Sequence, residues 1–416
     1  MRAELIEGAR VVLEDRVEIA SVRIEAGRIT GIDVARDGAA VIPARGRLLA
    51  PAFVDAHGDA FERQVMPRPG VMVPVETALL ETDRQLAANG IATAYHALTL
   101  SWEPGLRSVD TGWQILRALE RLRPRLTVDN RLQLRWETFC HEAEPLISQA
   151  LTSADRPALA FNDHTTSMLL HPDVAVQDRP FDQVAGYPVT PFDAPRFQKK
   201  MADHARRAHV SPEEYVALLT GVWARRAEVP AHVARMAALA RSANAPMLSH
   251  DDSQVETRAY YRNLGATVAE FPMHERVFLA ARAAGDPIIL GAPNAMRGGS
   301  HLGSPGAAAM IARGLCDILA SDYFYPAMLG AMVRLQADRV APLPVLWNLV
   351  SLNPARAMGL TDRGRIAPGL RADLLLLDWP EGQPPAPLRT WVAGRGGYSA
   401  LPLLPLPEAA LPEAAL

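Results

Sequence analysis

The chain is short of several features that define other protein classes. It has two cysteines in 416 residues, Cys140 and Cys316. That excludes a disulfide framework and a cysteine-type zinc site, and both read as core residues. No apolar run approaches the roughly 18 residues of a membrane span, and Met1-Arg-Ala-Glu-Leu-Ile-Glu7 carries no signal-peptide apolar region. A cytoplasmic protein with no membrane partner is the expectation. Neither sign of charge is in excess: 43 basic and 46 acidic residues leave a net charge of −3. The basic field that suits a nucleic-acid partner is absent, so an anionic ligand must be held by local cations. Histidine is scarce, 11 in all, which gives weight to places where it recurs.

The length is enough for one large domain and a small one. From residue 51 to about 325, apolar strand-like runs alternate with helical patterns. The runs are 51–59, 90–98, 132–137, 157–164, 246–250, 266–270, 287–291 and 316–322. Helix candidates between them include 111–121, 212–226 and 231–241. Eight strand–helix repeats predict an α/β fold, a (β/α)₈ TIM barrel over 51–359. Residues 165–245 interrupt the rhythm as a long insertion with Pro180, Pro188, Pro191 and Pro195 and then Arg196-Phe-Gln-Lys-Lys200. It reads as a cap over the barrel mouth, or as a variable surface excursion.

The two chain ends have strand character. Segments within 1–50 and 360–400 are too small for a core of their own, and they are expected to form one composite small β domain, a β-sandwich. Residues 401–416 repeat Leu-Pro-Glu-Ala-Ala and read as a Pro/Ala-rich mobile tail.

The stretch Pro51-Ala-Phe-Val-Asp-Ala-His-Gly-Asp59 ends an apolar run in two metal-capable side chains. Alternation along a strand puts His57 and Asp59 on one side, and Gly58 lets the backbone crowd a ligand. Taken alone, this is equally a strand running into a turn. Comparable ends recur, however, at Glu137, His164, His250 and Asp322. All strand C-termini of a parallel barrel open on one face, so His57, Asp59, Glu137, His164, His250 and Asp322 are the expected metal ligands. Three imidazoles and three carboxylates suit one or two divalent cations, Zn²⁺ first with Mn²⁺ or Fe²⁺ as alternatives, better than Mg²⁺, which prefers oxygen and water. Such ions activate water at neutral pH. A carboxylate beside them serves as proton shuttle, and Asp322 is assigned that part. His96 is expected to lie behind the ligands.

A second feature is Gly291-Ala-Pro-Asn-Ala-Met-Arg-Gly-Gly-Ser-His-Leu-Gly-Ser-Pro305. Ser304 and Pro305 read as N-cap and first helical position, with a helix over 307–313. A Gly-rich loop, a helix N-terminus and Arg297 suggest a phosphate cradle, with Ser300 and His301 beside it. An ordinary strand-to-helix turn is the plainer alternative. Arg68, in the stiff turn Pro67-Arg-Pro-Gly70, puts a cation over the same mouth, or lies on the surface.

Assembled in this way, the chain resembles the amidohydrolase superfamily. His57-Gly-Asp59 stands where the superfamily more often has His-x-His. Gly364-Arg-Ile-Ala-Pro-Gly369-Leu-Arg-Ala-Asp373-Leu resembles its C-terminal β-domain signature. Within the superfamily the chain is similar to the α-D-ribose 1-methylphosphonate 5-triphosphate diphosphatases of the carbon–phosphorus lyase pathway. The matching runs are Pro67-Arg-Pro-Gly70, Leu134-Arg-Trp-Glu137, Ser249-His-Asp-Asp252, Ala269-Glu-Phe-Pro272, Gly291-Ala-Pro-Asn294, Arg297-Gly-Gly-Ser-His301, Ile318-Leu-Ala-Ser-Asp-Tyr323 and Asn353-Pro-Ala355. Two segments depart from the pattern, His57-Gly-Asp-Ala60 and Asp163-His-Thr-Thr-Ser167.

The resemblance implies a barrel of amidohydrolase type and a diphosphatase of phosphonate metabolism. Its substrate would be a small phosphorylated anion, whose triphosphate is cut to the 5-phosphate and pyrophosphate. His250 and Asp322 would be catalytic. Arg68, Asn294, Arg297, Gly298, Gly299, Ser300, His301 and Asp252 would bind substrate, with Asp251 as an alternative to Asp252. A homo-oligomer is left open. The alternatives are a C–N hydrolase, a deacylase or deaminase using the same metals; a scaffold that has lost its metal; and the same phosphate chemistry on another phosphonate-derived triphosphate or a nucleoside triphosphate.

Overall fold

The computed structural model describes residues 3–153, 155–300 and 303–400. The tail expected over 401–416 lies outside the described residues. The first strands are β1 (Glu4–Val12), β2 (Val17–Glu25), β3 (Arg28–Ile32), β4 (Ala40–Pro43) and β5 (Leu48–Pro51). The next eight are β6 (Phe53–Gly58), β7 (Ile91–Leu100), β8 (Asp129–Glu137), β9 (Ala158–Asn162), β10 (Met247–His250), β11 (Val268–Glu270), β12 (Ile288–Gly291) and β13 (Ile318–Ala320). Near the C-terminus come β14 (Leu374–Asp378), β15 (Ala386–Val392) and β16 (Arg395–Ser399).

Strands β6 to β13 pair in sequence order, every neighbour parallel. Each of the eight barrel strands expected from the sequence is present. The helices Val109–Leu122, Pro212–Ala224 and Val229–Ser242 fall where helical periodicity places them. Most of the strands are apolar because helices cover their outer side while their inner side fills the barrel. Val54, Ala56, Tyr95, Ala158, Ala160, Leu248, Val268, Ile289, Ile318 and Ala320 pack together there.

The barrel closes at its mouth. β6 meets β13 through a parallel bridge between Gly58 and Asp322. The amide of Asp322 donates to the His57 carbonyl at 2.9 Å, and the amide of Asp59 donates to the Asp322 carbonyl at 3.0 Å.

The register of β6 against β7 shifts between Asp55 and Gly58. Val54 and Ala56 belong to the interior cluster, so strict alternation would turn His57 outward. The irregularity re-aims the strand end, as bulges do beside sites, and His57 and Asp59 both face the mouth. Buried Asp55 supports it. Its carboxylate accepts from the amides of Ser321 at 2.9 Å and His57 at 3.3 Å, backbone donors that would otherwise be buried unpaired. Gly58 has a different reason from the one expected. A Cβ there would lie 2.7 Å from Asp55 Oδ2 and 2.9 Å from Ser321 Oγ. Gly58 makes room for protein side chains, not for a ligand.

The chain ends form one continuous eight-stranded sheet, in the order β16-β15-β14-β5-β1-β2-β3, with β4 beside β1. β14 runs antiparallel to β5, so the C-terminal segment completes the N-terminal one. Its run Leu374-Leu375-Leu376-Leu377 is buried throughout because both faces are covered. Leu374 and Leu376 pack with Ile6, Val11, Leu49 and Trp391 in the sheet's own core. Leu375 and Leu377 pack against the barrel with Leu48, Ala50 and Trp347.

The insertion is helical. It contains His164–Leu169, Pro195–Ala208 and Pro212–Ala224, gathered on a small core of Met168, Leu169, Phe197, Met201, Ala205, Tyr215 and Leu219.

Candidate metal centre

Four barrel strands bring donors to one place. His57, Asp59 and Asp322 offer ligand atoms within 4.8 Å of one another, and so do His57, His250 and Glu270. The two groups share His57, which sits between them. Glu270 was not anticipated as a site residue, although its strand and its run Ala269-Glu-Phe-Pro272 were. The signal was available. Glu270 is a carboxylate at the C-terminal tip of an apolar strand, like Glu137.

Glu270 is fully buried. Its Oε1 lies 3.1 Å from His57 Nδ1 and accepts from the Gln133 amide at 2.6 Å. Burial alone would raise its pKa, but the His57 ring holds it below the ordinary range. Burial likewise opposes charge on His57, and Glu270 more than offsets it, raising that imidazole to about 9. His250 is lowered by burial and by Arg135. Asp322 is pushed up to about 6, first by burial and then by Asp59.

The backbone is bent into the left-handed region at three of these strand ends, at Asp251 (φ 58°), Phe271 (φ 51°) and Asp322 (φ 56°). That region is costly for residues other than glycine and survives where surroundings over-determine it. Here the bends fold the chain over the site. The Phe271 ring stands edge-on to His57 at 4.9 Å and to His250 at 5.3 Å.

The donors suit a divalent cation. His250 Nδ1 lies 3.2 Å from the Asp251 carboxylate, while His250 Nε2 and Glu270 Oε2 are buried without hydrogen-bond partners, and buried polar atoms in that state are costly unless something else satisfies them. A mixed nitrogen and oxygen set with buried imidazoles fits zinc, manganese or iron chemistry.

Glu137 and His164 stand differently from expectation. Neither belongs to the metal-type groups among the described residues. The Glu137 carboxylate accepts from the backbone of His164 at 2.9 Å, from the backbone and hydroxyl of Thr165 at 3.2 and 2.8 Å, and from the Asn162 amide at 3.4 Å. It holds the N-terminus of the helix His164–Leu169 instead of reaching the cavity. Burial, and then Asp163, raise it to about 8. His164 lines the cavity, but Arg135 and Asn162 approach its two ring nitrogens at 3.3 and 2.9 Å.

Arg135, two residues before Glu137 on the same inner side of β8, is the residue that reaches the centre. It is buried, and its guanidinium lies 3.8 Å from Asp59. His96 lies behind, bonded to Asn130 at 2.7 Å.

These residues open on a cavity of about 310 Å³, with Arg135, Asp251, Phe271, Asn294, Arg297, Gly299 and Ser300 in its walls. The Gly-rich segment is arranged differently from the expected cradle. Ala292–Arg297 is a short helix ending at Gly298 in a left-handed cap. The following helix, Ala307–Ala312, is capped at Gly306, not Ser304. Its first amide is taken by Asn294 Oδ1 at 3.0 Å, and the Asn294 amide donates to the Pro305 carbonyl at 3.3 Å. Asn294 therefore pins the loop.

Arg297 remains on the wall with no side-chain partner among the described residues. His301 lies outside the described residues. Asp252 is turned away: it is buried against Ser249 and Arg258, the latter at 3.4 Å. Asp251 faces the cavity instead. Arg68 lines a separate cavity with Lys200 and Arg207.

No protein-family model matches the chain. It is 29% identical to an α-D-ribose 1-methylphosphonate 5-triphosphate diphosphatase of Escherichia coli (strain K12), over 89% of this chain and 94% of that one. Among solved structures it superposes on phenylurea hydrolase B with a TM-score of 0.61 at 15% identity, covering 95% and 96% of the two chains. It also matches an adenosine deaminase from Xanthomonas campestris with bound zinc, at a TM-score of 0.59 and 13% identity over 94% and 92%. An amidohydrolase from an environmental sample shares the fold too, at a TM-score of 0.57. No helix among the described residues is long and apolar enough to cross a membrane. By its barrel and its end-sheet the chain has the fold of these amidohydrolases, and in sequence it is similar over almost its whole length to the diphosphatase.

Proposed function

We propose that the protein is a metal-dependent diphosphatase that cleaves α-D-ribose 1-methylphosphonate 5-triphosphate, or a close analogue, to the 5-phosphate and pyrophosphate. The carrying observation is a metal-type donor set and two guanidiniums at one cavity: His57, Asp59, His250 and Asp322 line it beside Arg135 and Arg297, with buried Glu270 against His57. The near full-length likeness to a diphosphatase supports the same substrate class.

A divalent ion, zinc by the donor set, would supply Lewis acidity toward water and a phosphoryl oxygen. His57, His250, Asp59, Asp322 and Glu270 would hold it. Glu270 also fixes the orientation of His57, as carboxylates do for ligating imidazoles. In the reaction, a water oxygen bonds to the α-phosphorus and the bond from that phosphorus to the β-bridging oxygen breaks. The pair of electrons leaves with pyrophosphate. Asp322 accepts the water proton. Arg135 balances charge on the reacting phosphoryl oxygens, as preorganised donors do best in a water-poor site, and Arg297 offers a second cation to the rest of the anionic substrate.

The test is pyrophosphate release by metal-reconstituted protein from the phosphonate triphosphate and from ATP, with Asp322→Asn as control. Release from the phosphonate substrate, falling by about 100-fold or more in the control, is expected. With metal bound, no release from either would overturn the diphosphatase reading and favour a C–N substrate.

A further inference from the structure

On the far side of His164 from the metal centre lies a second cavity, of about 530 Å³. His164 lines both cavities, so the two meet at one residue. The second is walled by the turn holding Arg68, by the loop after β7 with Arg107, and by the helix Pro195–Ala208. Lys200, His204 and Arg207 are spaced by four and three residues, which puts them on one helix face. Phe197, Met201 and Ala205, on the other side, are buried in the insertion's core.

The charge balance is distinctive. Arg68, Arg107, Lys200 and Arg207 face two carboxylates, Glu62 and Glu103. Both carboxylates are engaged. Arg107 grips Glu62 through two bonds of 3.0 and 2.9 Å. Glu103 accepts from Tyr215 and lies 3.8 Å from His204. The other cations are lightly held. Lys200 donates to the Met168 carbonyl at 2.9 Å, Arg207 meets His204 Nδ1 at 3.1 Å, and Arg68 has no side-chain partner among the described residues. The metal cavity has the opposite balance, with Asp59, Asp251 and Asp322 against Arg135 and Arg297.

We propose that the second cavity binds the terminal diphosphate of the substrate and, after cleavage, the pyrophosphate product. This rests on the triphosphate reading of the metal centre. The α-phosphate then lies by His164, at the junction. The β- and γ-phosphates extend toward Arg68, Lys200 and Arg207, and the sugar with its anomeric phosphonate extends toward Arg297. Planar guanidiniums and an ammonium on a concave wall match the chemistry of a polyanion, and the volume lies within the roughly 300–1,000 Å³ of small-ligand sites. The insertion thereby acquires a role, adding Lys200 and Arg207 to the cations that the barrel loops present on this side.

The experiment titrates metal-loaded, full-length protein with inorganic pyrophosphate by calorimetry. It compares wild type with Arg68→Ala, with the double variant Lys200→Ala/Arg207→Ala, and with Arg297→Ala. All four positions are exposed, and thermal melts check that each variant is folded. Pyrophosphate affinity is expected to fall about tenfold in Arg68→Ala and in the double variant, as for loss of charge-assisted bonds, and to persist in Arg297→Ala. Wild-type affinity in the double variant, or loss confined to Arg297→Ala, would overturn the proposal. The measurement involves no turnover, so it separates the two readings. Pyrophosphate binding as expected without triphosphate cleavage would sink the proposed function and keep the cavity. Triphosphate cleavage with an unchanged KM in the double variant would do the reverse.

Discussion

Two strand-end carboxylates, Glu270 on β11 and Glu137 on β8, are alike in sequence and opposite in use. Both close an apolar strand at the barrel mouth, and both are buried. Glu137 gives its oxygens to four protein donors, three of them from His164 and Thr165. Glu270 keeps Oε2 unpartnered, beside a His250 whose Nε2 is also unpartnered while its Nδ1 faces the Asp251 carboxylate at 3.2 Å. A metal-capable residue is available as a ligand only where the surrounding protein leaves its lone pairs open. Strand position alone does not decide this. The helix that begins at His164 does, because it brings backbone donors to Glu137, while nothing comparable follows Glu270.

The largest effect that would break this contrast concerns metal. His250→Ala should lower metal affinity by at least about 100-fold, read as metal content after purification and by competition with a chelator. Full metal retention would remove His250 from the centre. Glu137→Ala should behave in the other way. It strands buried donors at the start of a helix, so unfolding free energy should fall by about 3 kcal/mol in denaturant titrations while metal content stays the same. Loss of metal at unchanged stability would return Glu137 to the ligand set.

Gly58→Ala sharpens the account of how His57 is aimed. Its Cβ would crowd Asp55 and Ser321, and overpacking of this kind costs about 1–3 kcal/mol. Both melting temperature and activity should fall. A neutral outcome would show that the β6 bulge relaxes freely.

The smallest effect contrasts two histidines. His57 is held up at about 9. His232, outside the site and with its ring 4.2 Å from that of His141, is pushed down to about 4, first by burial and then by His141. A histidine depressed in the folded state favours folding while neutral. Its contribution is complete above its ordinary value near 6.5 and is lost as pH falls from there toward 4. The melting temperature of wild type should therefore drop more across that window than that of His232→Gln. Parallel pH profiles would refute the assignment.

The barrel was legible because eight apolar runs alternate with helical periodicity, and helix-covered parallel strands leave that trace. His57, Asp59, His250 and Asp322 were legible as polar residues ending those runs. The role of Arg135 was hidden. An arginine in a strand reads as an outward residue until the inner side of β8 is known, and Glu137, two residues on, drew attention first. Asp252 misled for a related reason. Adjacent aspartates at a bend point in different directions, and only Asp251, at positive φ, faces the cavity. The Gly-rich segment carries a structural part that the run itself did not show: Asn294 pins the turn between two short helices, while Arg297, Gly299 and Ser300 line the cavity.

The sequence by itself determined the alternation of strand and helix, the pairing of the two chain ends as strand-forming segments, and the chemical types of side chain delivered to the barrel mouth. These follow from local periodicity and residue chemistry, which each segment carries alone. Only the tertiary structure decided which of those side chains meet. The β6 bulge that turns His57 inward, the closure of β6 on β13 beside Asp322, and the capping of a helix by Glu137 all depend on partners distant in the chain. A lone pair is open or occupied according to what is packed against it.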